Sequence, residues 1–310
     1  PFKSVVILAY RSCRVQTGEK IMTASLQCIE PNAAGIDVGS FSHFVAIPLG
    51  RDRETVKEFS AFTADLHQIA DWLKKCQITT VAMEATGVYW IPLYEILEEN
   101  GFTVCLVNAR YLKNVSGRKS DVLDCQWIQQ LHSYGLLKAS FRPEEETIRL
   151  RQLVRHRGNL VRWGATHIQQ MQKALSQMNL QLHNVVSDIT GETGLNIIRA
   201  ICKGERDPEK LACHRDPRCK NSWETIAKSL HGHYKEEILF SLKQALASYD
   251  HYQKQIEECN EEIRKIVETF EDKSNGKEPP KRKRETHKTK IGFDAQAHFF
   301  KMIEVNLTAI

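Results

Sequence analysis

Residues 33–39 read "AAGIDVG", a short apolar run that carries one acid and ends in glycine. Runs of this kind are too short for a helix and suit a buried strand. After turn-like residues come "HFVAIPL" (43–49) and "TVKEFSAF" (55–62), which continue the pattern as second and third strands. "ADLHQIADWLKKC" (64–76) then changes period: Leu66, Ile69, Ala70 and Leu73 fall on one helical face. "TTVAMEA" (79–85) reads as a buried strand, "YWIPLYEILEENG" (89–101) as a helix closed by Gly101, and "FTVCLVNA" (102–109) as another buried strand. A helix starting near Ser120 follows, with Val122, Leu123, Trp127 and Leu131 for its core face. Three strands, helix, strand, helix, strand, helix predicts a three-layer α/β domain around a mixed sheet.

Beyond Arg142 the strand patterns stop, so an all-α region is expected. Residues 144–183 read as a long helix opened by acids, with Ile148, Leu153, Leu160, Ile168, Leu175 and Leu182 among its apolar positions and Gly158 and Gly164 weakening it. Short helices and turns follow. From Leu242, the residues Leu246, Tyr249, Gln253, Ile256, Asn260, Ile263, Val267 and Phe270 alternate by four and three, the spacing of a coiled-coil seam with polar register-setting members. A helical hairpin within one chain has the same spacing and stays open as an alternative.

Length and composition bound the function. With 310 residues and 42% hydrophobic content, the chain can bury a real core. Its nine cysteines are odd in number and lack any CxxC pair, which excludes a disulfide scaffold or zinc ribbon and suits a reducing cytoplasm. The grouping of Cys213, His214, Cys219, His231 and His233 matches no zinc template. No stretch approaches the length of a membrane span, so no membrane partner is expected. The net charge of +5 is uneven: residues 273–290 carry eight Lys or Arg and two Glu. Between Thr147 and Ser187, Arg149, Arg151, Arg155, Arg157, Arg162 and Lys173 meet no acid. Two basic regions in an otherwise near-neutral chain point to a polyanion.

The expected organisation is therefore an N-terminal extension at 1–32, non-native ahead of Met22; an α/β domain at 33–142; a basic helix and connector at 143–235; a coiled coil at 236–270; a basic linker at 271–292; and the start of a further domain at 293–310.

Acids recur at the ends of strands. Asp37 sits near the end of the first, Glu84 near the end of the fourth, and Asp121 and Asp124 open the helix after the fifth in "GRKSDVLDC" (117–125). Helix capping alone accounts for a Ser or Asp there. A shared sheet edge accounts for all four, because ligands in such sheets gather beyond the carboxyl ends of the central strands. Oxygen donors without His or Cys suit Mg²⁺ or Mn²⁺, which handle phosphate. Arg118 and Lys119 then serve as phosphate contacts, with ordinary surface charge as the plainer alternative.

At this point a resemblance is specific. "GIDVGS", "AMEATGVYW", "VNARYLKNVSGRKSDVLDCQWIQQLHSYGLLKASFRP", "LRQLVRHRGNLV", "ITGETGLNIIRAICKGERDP" and "LFSLKQALASYDHYQKQI" occur in order. The chain resembles the DEDD transposases and site-specific recombinases of the insertion-sequence one-hundred-ten type, which include the Piv and MooV DNA invertases. That resemblance implies a RuvC-like domain of the ribonuclease H fold, with Asp37, Glu84, Asp121 and Asp124 as catalytic metal ligands. It implies DNA strand cleavage and exchange in the bacterial cytoplasm and nucleoid, by a dimer or tetramer joined through the coiled coil. It further implies a structured guide RNA encoded by the element, for which Arg151, Arg155 and Arg162 offer a face. In the family a later domain supplies a serine nucleophile; none is assigned in this chain, which is expected to be incomplete for strand exchange. A RuvC-like junction nuclease, a non-catalytic nucleic-acid-binding oligomerisation module and an actin-like or sugar-kinase ATPase remain as alternatives.

Overall fold

The computed structural model describes residues 27–108, 121–274, 276–278 and 294–303. The N-terminal stretch to Met22 and most of the basic linker lie outside the described residues. Two compact units divide at Arg142.

In the first unit, β1 (Ala33–Val38), β2 (Ser42–Ala46), β3 (Val56–Ser60), β4 (Thr80–Glu84) and β5 (Thr103–Val107) form one sheet in the order β3-β2-β1-β4-β5. The first three make an antiparallel meander, while β4 and β5 run parallel to β1. The helices are α1 (Thr63–Lys75), α2 (Trp90–Glu99) and α3 (Asp121–Ser133). Successive side chains on a strand point to opposite faces. One face presents Ile36, Val38, Val45, Val81 and Met83 to Leu66, Ile69 and Leu73 of α1 and to Leu93 and Leu97 of α2, the main core. The other presents Ala33, Gly35 and Ala82, and a smaller cluster joins Ala82 and Val107 to Ile128 of α3. Large residues on one side and small ones on the other produce the three layers, because the small-residue face lets α3 lie almost on the backbone. As read from the sequence, Gly101 closes α2, with φ of 86°.

The covered face of α3 differs from its sequence reading. Cys125, Ile128 and His132 are buried, whereas Trp127 and Leu131 are half-buried. Polar groups are tolerated beneath the helix because the strands satisfy them. The His132 Nε2 lies 2.8 Å from the Thr80 hydroxyl, and the Gln129 amide donates to the Ala33 carbonyl at 3.3 Å. A pattern based on apolarity alone misses His132 and ranks Trp127 and Leu131 too high; the side chains of Val122 and Leu123 lie outside the described residues.

The second unit is helical: α4 (Glu145–Gln177), α5 (Leu182–Val185), α6 (Glu192–Lys203), α7 (Pro208–Ala212), α8 (Trp223–Ser229), α9 (Glu236–Thr269) and α10 (Ala295–Ile303). Its frame is a hairpin of α4 and α9. Leu150 and Leu160 pack with Ile256, Cys259, Ile263 and Val267 at one end. At the other, Met171, Ala174 and Leu175 pack with Leu239, Leu242, Leu246 and Tyr249, together with Ile197, Ile201, Leu211 and Ile226 of the shorter helices.

This corrects the expectation that a second copy fills the α9 seam. The same chain fills it, so the regions read as separate, 143–235 and 236–270, belong to one unit. Heptad spacing specifies an apolar stripe and leaves its occupant open; here α4 supplies a matching stripe. Asn260, one of the polar seam residues, accepts from the Arg157 guanidinium at 2.6 Å. Gly164 leaves α4 unbroken and is buried against Tyr252 of α9, where a Cβ would make an ordinary contact at 3.5 Å.

Candidate active site

The register of β1 and β4 places two of the four acids. Gly35 pairs with Ala82 and Ile36 with Met83. The next residues along these parallel neighbours are Asp37 and Glu84. By alternation both belong to the face of Gly35 and Ala82, under α3. Adjacent strands lie about 4.8 Å apart, so the two carboxylates share one end of the sheet.

α3 crosses that face in the opposite direction. The Cys125 carbonyl and Gln129 amide nitrogen sit over Gly35, while His132, near the end of the helix, reaches Thr80 at the start of β4. Its first turn, carrying Asp121 and Asp124, is therefore directed to the end of the sheet where β1 and β4 finish. The positive end of the helix dipole favours acids there, so capping and cation binding are compatible uses of the same position.

Electrostatics report the same proximity. The Cys125 thiol is pushed up to about 12, first by burial, then by the negative charge of Asp37, and more weakly by that of Asp124. Asp37, Glu84 and Asp124 are each half-buried, and Glu84 accepts from the Thr86 hydroxyl at 2.9 Å. Among the described residues no three His, Cys, Asp or Glu side chains already form a metal-holding group. The Asp121 side chain, Arg118 and Lys119 lie outside the described residues. The donor chemistry of Asp37, Glu84 and Asp124, all carboxylate oxygen, fits a hard divalent cation.

Three residues that support this site carry no acid and escaped the sequence reading: Gly35, Cys125 and Thr86. The small-residue alternation of "AAGIDVG" is the one signal that points to the first of them.

The raised Cys125 value has a consequence with a definite sign. A thiol that is harder to ionise when folded stabilises the fold fully below its unfolded value of 9.0 and loses that contribution as pH rises toward about 12. Unfolding midpoints measured from pH 8 to 11 should fall more steeply for wild type than for Cys125→Ala.

Arg151, Arg155 and Arg162 lie on α4 of the helical unit, all exposed. Arg157, from the same basic stretch, is half-buried against Asn260. A separate cleft of about 760 Å³ in that unit is lined by Asn196, Arg199, Lys203, Glu205, Lys210 and His214. Its cations are largely offset by carboxylates: Arg199 pairs with Asp250 at 2.8 Å and Lys210 lies 4.0 Å from Asp207. No described helix is long and apolar enough to cross a membrane.

Comparison with known families covers this stretch of the chain. A model described as Transposase, of the DEDD type named for IS110, matches residues 34–180. The match contains all four acids and all five candidate nucleic-acid contacts, and spans the sheet domain together with α4. A search of the curated proteins finds no match. Residues 34–180, just under half of the chain, match the IS110-type DEDD transposase family and support placing the chain with it.

Proposed function

We propose that this chain acts in the movement of an insertion sequence by metal-dependent cleavage and exchange of DNA strands. In this reading the first unit is a RuvC-like domain of the ribonuclease H fold. The observation that carries it is the adjacency of Asp37 and Glu84 on parallel strands, with the acid-bearing start of α3 directed to the same end.

Asp37, Glu84, Asp121 and Asp124 would hold Mg²⁺ or Mn²⁺. When bound, such ions supply positive charge for the phosphoryl oxygens and lower the pKa of bound water. The protein's own part is to hold the carboxylates on rigid strands and a helix terminus, and to orient the DNA phosphate through Arg118 and Lys119. Arg151, Arg155 and Arg162 meet the backbone of an element-encoded guide RNA, and two or more copies act together on DNA through surfaces other than the α9 seam.

The test is nicking of supercoiled DNA with and without Mg²⁺. Wild type should nick only with the metal, and Asp121→Ala should not nick. Absence of cleavage by wild type, or cleavage indifferent to Asp121→Ala, would overturn the proposal.

A further inference from the structure

The exposed side of the α4–α9 hairpin combines two features. At 100° per residue, Arg151, Arg155, Arg162 and Lys173 lie within about 40° of one another around α4 and extend along roughly 33 Å of it. All four are exposed, and no acid occurs between residues 147 and 187. On α9 three of the four Lys or Arg side chains are neutralised nearby: Lys254 by Glu258, Arg264 by Glu261 and Lys265 by Glu262. Among the described residues the α4 stripe has no such ion pair; Arg162 reaches only the Asn159 amide oxygen, at 3.3 Å. The stripe therefore keeps its charge.

The second feature is Trp163, which is 46% exposed although both Leu160 and Gly164 beside it are buried. Its ring is braced from below. The Tyr252 ring lies 6.1 Å away, tilted by 51°. Tyr252 is itself stacked on His167 at 5.4 Å and 22°, and meets the edge of His251 at 5.8 Å. Gly164, between Trp163 and His167 in the chain, is buried against Tyr252. An exposed indole held by packed aromatics, about 100° around α4 from the unneutralised Arg162, can take a base while the backbone follows the neighbouring stripe.

We infer that Trp163, supported by Tyr252 and His167, is a base-stacking platform for an unpaired nucleotide of a single-stranded RNA whose backbone follows the arginine stripe. This rests on the reading of that stripe as a polyanion contact and adds what the stripe alone lacks. Arginines on phosphates do not distinguish a duplex from a single strand, whereas a stacking surface requires a base with a free face. A second copy of this chain is the less suitable occupant. A two-fold contact centred on Trp163 would bring two uncompensated cationic stripes together.

The experiment is fluorescence anisotropy with the full chain, using a labelled single-stranded RNA and a duplex RNA of equal length across a salt series. Stacking and counterion release separate in such data, because only phosphate contacts set the slope of affinity against salt. Trp163→Ala should weaken single-strand binding by roughly 5- to 100-fold at every salt concentration, with slope and duplex affinity unchanged. Trp163→Phe should recover most of the loss, which distinguishes a lost ring from a damaged fold. Charge reversal at Arg151, Arg155 and Arg162 should flatten the slope for both probes.

Unchanged single-strand affinity in Trp163→Ala, with the slope still lost on charge reversal, would overturn the platform and leave the polyanion reading intact. Equal weakening of both probes would also overturn the platform. So would reduced self-association in sedimentation with RNA affinity unaltered, which would assign the patch to a second copy. Wild type without salt-dependent affinity for either probe would overturn both readings.

Discussion

Gly35→Ala is expected to detach α3 from the sheet and to destabilise the first unit by about 2–4 kcal/mol. A Cβ at this position would stand 2.2 Å from the Gln129 nitrogen, 2.5 Å from the Cys125 carbonyl oxygen and 2.7 Å from the Gln129 Cα. All three are backbone atoms, so no rotamer change relieves the overlap and the helix itself must move. Moving it opens the contact of Ile128 with Ala82 and Val107 and strains the His132–Thr80 hydrogen bond. Because the same helix brings Asp121 and Asp124 to the ends of β1 and β4, activity should fall with stability. Denaturant unfolding together with nicking assays checks both consequences. Wild-type stability in Gly35→Ala would mean that α3 does not lie this close to the strand.

Asp37→Asn should separate activity from stability in the opposite way. The substitution keeps size and shape and removes one negative charge from beside Glu84. On the proposed function, DNA nicking should fall on the order of 10²–10³-fold, the usual effect of withdrawing one electrostatic contributor from a catalytic centre. Stability in EDTA should hold or rise, since carboxylates crowded on neighbouring strands repel one another when no cation is present. Glu84→Gln should behave alike. A loss of nicking accompanied by an equally large loss of stability would make these acids structural.

The fold was readable where local chemistry and packing agree. "AAGIDVG" and "TTVAMEA" have the length, glycine and β-branched content of buried strands, and both form strands at the centre of the sheet. Asp37 and Glu84 could be placed from the sequence because strand ends in such sheets collect functional groups whatever the side-chain details. The contacts of α3 were not readable, because His132 and Gln129 are satisfied by particular strand atoms that no periodicity reveals. The partner of the α9 seam was equally hidden. Leu242, Leu246, Ile256 and Ile263 specify a stripe to be covered, and only the three-dimensional return of α4 covers it. Trp163 counts among the aromatics in any composition, and its significance appears only when its exposure and the Tyr252 brace are seen together.

The proposed function requires that the acids act as one cation site. Mn²⁺ titration followed by the resonance of the free ion reads this without DNA, a partner or turnover. Wild type should deplete free Mn²⁺, and Asp37→Asn and Glu84→Gln should each weaken uptake by roughly 10- to 100-fold or more. No uptake by wild type, or uptake by both variants as tight as by wild type, would contradict it.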